Sequence, residues 1–268
     1  MSPVFAGRSF QQMRPSRRLA QLTCGTRMIV ELIEDFVKLA LIVTSLYFVL
    51  GETVRRMHPT WSEPLGKRRL TTLWVLVFAA SAVKLTEVVL GGESGPIDRA
   101  ILLFIHGHFP HSLIGFFEAV TLTGSSWFLF PFAAVTTIAL LWAKHRFEAL
   151  LVAMSVISAA MVIYVIKTVV GRLRPALWDT EWYWGSSFPS GHTLAIAAFA
   201  TAAALCASRI RAASHHLALS MAILWTTLVA ISRLVLGVHW PTDVLVAICI
   251  GAFLPLAMSV VLELRHVK

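Results

Sequence analysis

Residues 149–166 read ALLVAMSVISAAMVIYVI, eighteen positions without a formal charge, and the run stops at Lys167. A helix needs about 20 mainly apolar residues to cross the hydrocarbon core of a bilayer. Lipid offers no partner to the amides of an open strand, so such a run is helical. Five other stretches carry the same pattern, at 70–90, 125–143, 193–208, 217–231 and 244–261. Where the strictly apolar count is short, tilt and flanking residues make up the difference. The segment 31–50 is different. Glu31, Glu34, Asp35 and Lys38 crowd its first half, which suits an amphipathic or re-entrant helix at the interface, with a seventh span as the alternative.

Composition points the same way. Of 268 residues, 57% are hydrophobic and 14% are charged, against roughly 45–50% and about 25% in a soluble domain. This balance excludes a disordered chain, a secreted disulfide scaffold and an ordinary cytosolic enzyme. Cys24, Cys206 and Cys249 show no paired spacing, so neither a disulfide nor a zinc framework is expected. The expected fold is therefore all-α, a polytopic membrane helix bundle with six core transmembrane helices at 70–268. A basic, disordered tail is expected at 1–27, followed at 28–69 by an amphipathic interfacial segment and a basic loop. For the Arg-rich, acid-free tail a transit peptide and a start at Met28 stay open as alternatives.

The net charge of +9 comes from 23 Lys and Arg against 14 Asp and Glu. Basic residues gather at the ends of apolar runs, which fits topology control and anionic lipid better than nucleic acid. Lys144 and Arg146, Arg209 and Arg211, Arg265 and Lys268, and Arg55, Arg56, Lys67, Arg68 and Arg69 all fall on one side of a six-span serpentine. The positive-inside rule makes that side cytoplasmic, with both termini on it.

The serpentine also brings a second set of polar residues to the opposite, outer side. Lys167 closes the third span, with Arg172 and Arg174 after it. His192 opens the fourth span, Arg233 follows the fifth, and His239 and Asp243 open the sixth. Several cations and two imidazoles at one depth repel one another unless an anion sits among them, and a phosphate fits. Arg172 taken alone needs nothing more than snorkelling to the interface. Ser187-Phe188-Pro189-Ser190-Gly191-His192 reads as a helix start, whose free amides bind anions and where Gly191 lets backbone approach a phosphate. His239 and Asp243 are four apart at a second helix start. A carboxylate on one imidazole nitrogen fixes the tautomer and leaves the other nitrogen as a nucleophile.

These residues resemble the three signatures of the type 2 phosphatidic acid phosphatase and haloperoxidase superfamily, in its membrane lipid phosphatase branch. Lys167, six residues and Arg174-Pro175 match the first; Pro189-Ser190-Gly191-His192 match the second. Ser232-Arg233, five residues, His239, three residues and Asp243 match the third. They occur in family order without departure at the polar positions, over roughly 98–261. The resemblance implies that His239 attacks phosphorus and becomes a phosphohistidine, that Asp243 orients it, and that His192 protonates the leaving oxygen and then activates water. It implies that Lys167, Arg174 and Arg233 hold the phosphate oxygens together with Ser190 and the Gly191 amide. No metal or other cofactor is expected, since nothing resembles a P-loop or a carboxylate cage for magnesium.

Other polar and aromatic residues lie outside the signatures. His106, His108 and His111 lack helical i, i+4 spacing and an acidic neighbour, so an interfacial segment is favoured over a metal site. His215 and His216 sit in a turn. Lys84 and Glu87 share one helix face near the outer end and read as an interfacial pair or a substrate contact. Trp178, Trp182, Tyr183 and Trp184, with Asp179 and Glu181, read as an interface anchor, with a lid over a headgroup as the alternative.

The expected activity is metal-independent hydrolysis of a lipid phosphate monoester or diphosphate at the outer membrane face. Polyprenyl diphosphate, phosphatidylglycerophosphate, phosphatidate and lipid A are all open as substrates. The expected setting is a plasma or inner membrane, with lipids as partners and neither nucleic acid nor an obligate protein partner. The rival is a catalytically silent protein that binds or transports lipid phosphates with the same pocket. The presence of His192, His239 and Asp243 together weighs against it, because binding alone needs no nucleophile.

Overall fold

The structure, a computed structural model, describes residues 17–178 and 185–266. Ten α-helices follow in order: α1 (Arg17–Met57), α2 (Pro59–Lys67), α3 (Arg69–Leu90), α4 (Gly95–His108), α5 (Ile114–Leu122), α6 (Ser126–Trp142), α7 (Arg146–Val170), α8 (Gly191–Ile210), α9 (His215–Val235) and α10 (Pro241–His266). No strand occurs among the described residues. The helices α3, α7, α8, α9 and α10 are each long and apolar enough to cross a membrane, and α5 with α6 forms a sixth candidate bent by 45°. The all-α membrane bundle expected from the apolar runs is the fold observed, and the protein is an integral membrane protein.

Two features differ from the sequence expectation. First, α4 and α5 extend the bundle into residues where no helix was anticipated. The bend between α5 and α6 coincides with a fresh helix start, where the Ser125 side chain accepts from the Phe128 amide at 3.3 Å. Second, the N-terminal helix is continuous from Arg17 to Met57. The part of the basic stretch from residue 17 onward is thus helical, and residues 1–16 lie outside the described residues. The chain divides after Ile42 into two compact units. In the first unit, Lys38 pairs with Glu34 at 3.5 Å and Asp35 at 3.7 Å, while Ile33, Phe36 and Leu41 are exposed. The second unit begins at Val43 and contains α2 to α10.

In that unit α8 is the central helix, packed against α7, α9 and α10, while α3 lies along α10, α6 along α7 and α5 along α9. Lipid is as apolar as leucine, so membrane helices associate through close packing, and small residues permit it. Alanines at 197, 198, 200, 202 and 204 of α8 are buried. A Cβ at Gly251 of α10 would lie 2.6 Å from both Ala197 Cβ and the Leu194 carbonyl oxygen, so this crossing demands glycine. Larger side chains fill the wider layer, where Leu129 of α6, Leu151 and Val152 of α7, Phe199 of α8 and Val229 of α9 form one cluster. Many outward-facing side chains are large and apolar. Trp127 and Trp142, at opposite ends of α6, are 93% and 84% exposed. Their separation along the axis is about 22 Å at the helical rise, which places an indole toward each interface.

The ends of α3, α7, α8 and α10 remote from residues 167, 191 and 241 are tied by ion pairs. Arg209 donates to Glu148 at 3.2 Å and also to Glu263, and Arg68 donates to Glu263 at 2.6 Å.

Candidate active site

The alternation of the helices places the last turn of α7, the first turn of α8, the last turn of α9 and the link that leads into α10 around one cavity of about 540 Å³. Lys167, Arg174, Gly191, His192, Arg233 and His239 all line it. Among the described residues, no carboxylate does.

Each cation is held from behind by a neutral acceptor. Lys167 donates to the Ser186 carbonyl at 2.5 Å, and Arg174 to the Val238 carbonyl at 2.9 Å. The Arg233 guanidinium, 1% exposed, donates to the Thr121 hydroxyl of α5 at 2.7 Å. A carbonyl or hydroxyl fixes a cation without cancelling its charge, and low polarity strengthens the pull of that charge on an anion.

His239 sits in the short link between α9 and α10 and is 2% exposed. Its Nδ1 lies 3.6 Å from Asp243 Oδ2, and its Nε2 lies 3.4 Å from Arg174 Nη1. Burial holds the imidazole down, at about 4, with the neighbouring charges of Arg233 and Arg174 adding to the effect and Asp243 opposing it. The ring is therefore neutral at pH 7. A neutral ring with Nδ1–H toward a carboxylate has its lone pair on Nε2, on the cavity side.

Asp243 is fully buried behind this ring, and its two oxygens are divided between partners. Oδ2 faces His239 and accepts from the Trp240 amide at 2.9 Å, while Oδ1 accepts from Arg172 Nη1 at 2.5 Å. Here the snorkelling expected of Arg172 is corrected. Its side chain is 17% exposed and is fixed between two buried carboxylates, Asp243 and Asp98. A guanidinium carries donors on two edges, so it satisfies both acids at once. Nothing in the spacing of the sequence signalled Asp98, which comes from the unanticipated α4.

Ser190 also differs from expectation. It is fully buried, its Oγ lies 3.0 Å from Thr193 Oγ1, and it is absent from the cavity lining. As the residue preceding the first turn of α8, it directs its hydroxyl to the third helical position rather than outward. Its amide donates to the Asp243 carbonyl at 3.2 Å, joining the start of α8 to α10. The loop before it is joined to the 171–175 segment. The Ser187 amide donates to the Arg172 carbonyl at 2.8 Å and its hydroxyl to the Leu173 carbonyl at 3.1 Å.

Outside the signatures, Lys84 and Glu87 pair at 3.7 Å on the exposed face of α3. His108 stacks on Phe104, and His215 Nδ1 lies 3.1 Å from Ser208 Oγ. Trp178 stacks on His106 with centroids 4.0 Å apart. It also covers Gly237, whose φ of +67° suits glycine and whose added Cβ would lie 2.5 Å from the indole. Asp179, Glu181, Trp182, Tyr183 and Trp184 lie outside the described residues.

Comparison with known proteins agrees with the signatures. Residues 148–266 match the PAP2 superfamily model. An undecaprenyl-diphosphatase of Sulfolobus acidocaldarius is 26% identical over 193 residues, covering 68% of this chain and 86% of that protein. Phosphatidylglycerophosphatase B of Escherichia coli is 43% identical over 67 residues, 25% of each chain. The crystal structure of a transmembrane PAP2-type phosphatidylglycerolphosphate phosphatase from Bacillus subtilis superposes with a TM-score of 0.61 at 23% identity. That superposition covers 68% of this chain and 96% of that one, a likeness of fold.

Proposed function

Because this chain belongs to the PAP2 superfamily, we propose that it is a membrane phosphatase that hydrolyses a lipid phosphate monoester or diphosphate through a phosphohistidine on His239. One observation carries the reading. A neutral imidazole, backed by a buried carboxylate, faces a cavity whose charged lining, among the described residues, is three cations.

The proposed steps use these groups in turn. A phosphate entering the cavity draws the Arg174 guanidinium off His239 Nε2 onto a phosphate oxygen, which exposes the lone pair. Lys167 and Arg233 take further oxygens, and the first-turn amides of α8 at Gly191 and His192, which have no partner within a helix, add donors. Nε2 then attacks phosphorus in line, the N–P bond forms and the P–O bond to the lipid breaks. His192 gives its proton to the departing oxygen. The His239 ring becomes positive and Asp243 stabilises it. In the second half His192 takes a proton from water, the oxygen attacks phosphorus, and the N–P bond breaks to release inorganic phosphate. Phosphoryl transfer depends mostly on positioning and charge stabilisation, which fixed guanidinium groups supply. The same lining suits an anion rather than a divalent cation, so activity is expected to persist in chelator.

The lipid nature of the substrate rests on the rest of the wall. Val156, Ala160, Ile163 and Tyr164 of α7, with Leu129 and Phe130 of α6, continue the lining away from the cations. From Val156 to Lys167 the wall runs about 16 Å along α7, room for the first part of an acyl or prenyl chain. The site lies at the outer membrane face and both termini are cytoplasmic. The support is that the basic turns at 144–146 and 209–211 are at the other ends of the same helices. Purified protein in detergent, offered phosphatidate, phosphatidylglycerophosphate and polyprenyl diphosphate, is expected to release inorganic phosphate from at least one of them with or without chelator. Release from none would leave the silent binding protein as the reading, and strict dependence on added divalent ion would contradict the mechanism.

A further inference from the structure

We infer that Asp98, outside all three signatures, is a positioning residue that acts through Arg172 to keep one oxygen of Asp243 available to His239. The inference deepens the reading above and rests on it for the role of His239.

The observations form one chain of bonds. Asp98 is fully buried. Its Oδ2 accepts from Arg172 Nη2 at 2.8 Å and from the Thr242 hydroxyl at 2.7 Å, and its Oδ1 accepts from the Thr242 amide at 3.0 Å. Arg172 Nη2 also donates to Ser94 Oγ at 3.1 Å. On the other edge, Nη1 donates to the Thr242 hydroxyl at 2.9 Å and to Asp243 Oδ1 at 2.5 Å. Trp240 lies against the guanidinium, its ring centroid 5.7 Å from Cζ. The guanidinium is thus stretched between two acids, one edge on each.

The consequence lies in the alternative. Arginine prefers to bind a single carboxylate through two parallel hydrogen bonds. Without the pull of Asp98, Arg172 is free to turn both nitrogens onto Asp243 and take Oδ2 as well as Oδ1. Oδ2 is the oxygen that faces His239 Nδ1. An imidazole deprived of that carboxylate oxygen, 3.6 Å from Nδ1, loses the electrostatic preference for Nδ1–H, and with it the lone pair on Nε2. Asp98 also holds the amide of Thr242, next to Asp243, and so fixes the start of α10. Two buried carboxylates around one guanidinium are a costly arrangement for stability alone, which favours a role in setting geometry.

The test uses full-length protein in detergent, with size-exclusion profile and thermal unfolding confirming the fold of each variant. Asp98→Asn keeps the shape and an acceptor for Thr242 but removes the charge. It is expected to lower kcat about 10–100-fold, the usual range for a supporting partner of a reacting group, with KM within about 3-fold. Because Asp98 acts through Arg172, adding Asp98→Asn to Arg172→Met is expected to lower kcat no further, whereas an independent structural role would multiply the two losses. Nitrogen-15 spectra of histidine-labelled protein without substrate give a readout independent of turnover. The His239 ring signals are expected to shift from the Nδ1–H pattern toward the other tautomer in Asp98→Asn. If Asp98→Asn fails to fold, Arg172→Lys, which keeps the charge but cannot span both acids, carries the same measurements. Folded variants with unchanged ring signals and unchanged kcat would overturn the inference, as would strictly multiplicative losses. Signals that shift in a parent protein without turnover on any lipid phosphate would instead count against the proposed function and leave the positioning role standing.

Discussion

The bundle carries two clusters of charge, one at each end of the same helices, and they are built on opposite plans. At the end with the basic turns, Glu148 and Glu263 are matched with Arg209 and Arg68, acid directly against base. At the other end Lys167, Arg174 and Arg233 face a cavity, and the acids Asp98 and Asp243 stand behind it, bound to Arg172. Both clusters combine carboxylates with arginines, and the placement differs. Balanced pairs join helices and leave little field outside. Among the described residues, the acids are kept off the cavity wall, with Arg172 as the divider, and Asp243 stands behind the His239 ring.

Substitutions at the two ends should therefore fall into different classes of effect. His239→Ala removes the proposed nucleophile and is expected to reduce phosphate release by about 10⁴-fold or more while the protein still inserts and elutes as a single species. Residual turnover within about 10-fold of the parent would move the chemistry to another residue. Arg174→Ala and Arg233→Ala each remove a fixed positive donor and are expected to cost about 10²–10³-fold in kcat/KM. Phosphate or vanadate should also protect these variants less than the parent against thermal unfolding, and equal protection would count against an anion site there.

The acid dependence of stability should also separate the ends. His239 is held at about 4 in the folded protein, below its ordinary value of 6.5. A depressed value means that stability is full above 6.5 and is lost as pH falls toward 4, because the unfolded chain takes up a proton that the folded one resists. The loss amounts to about 3 kcal/mol by linkage. Denaturant titrations at pH 7 and pH 4.5 should show the parent losing more stability than His239→Gln, and equal losses would mean that the ring is not held neutral. The smallest effect belongs to the remote cluster. Glu263→Gln should leave kcat within about 2-fold, because it touches no part of the cavity, and lower Tm by about 2–4 °C, as expected for about 1 kcal/mol. A large loss of kcat with unchanged Tm would break the contrast.

Much of this architecture can be read from the chain itself, and the parts that cannot share a physical reason. The spans at 70–90, 193–208, 217–231 and 244–261 fall within α3, α8, α9 and α10, because a bilayer imposes a length and an apolar composition that each segment displays locally. The convergence of Lys167, His192, Arg233 and His239 follows from counting helix reversals. Asp98 and Arg172 are 74 positions apart, and no local spacing marks such a pair. Asp98 lies in α4, whose apolar run is too short to read as a span. At Ser190 the local pattern of a helix start is correct, but the direction of the hydroxyl is decided by Thr193. Trp178 reads as one of several interfacial aromatics, and its seat on Gly237 depends on a backbone turn that only three-dimensional structure displays.

The most direct test is to stop the reaction within a single turnover of radiolabelled lipid phosphate by rapid quenching and to map the labelled peptide. A base-stable, acid-labile phosphate on His239, formed and lost at rates that account for kcat, is the predicted result. Continued release of inorganic phosphate with label on another residue, or with none on the protein at any time, would contradict it.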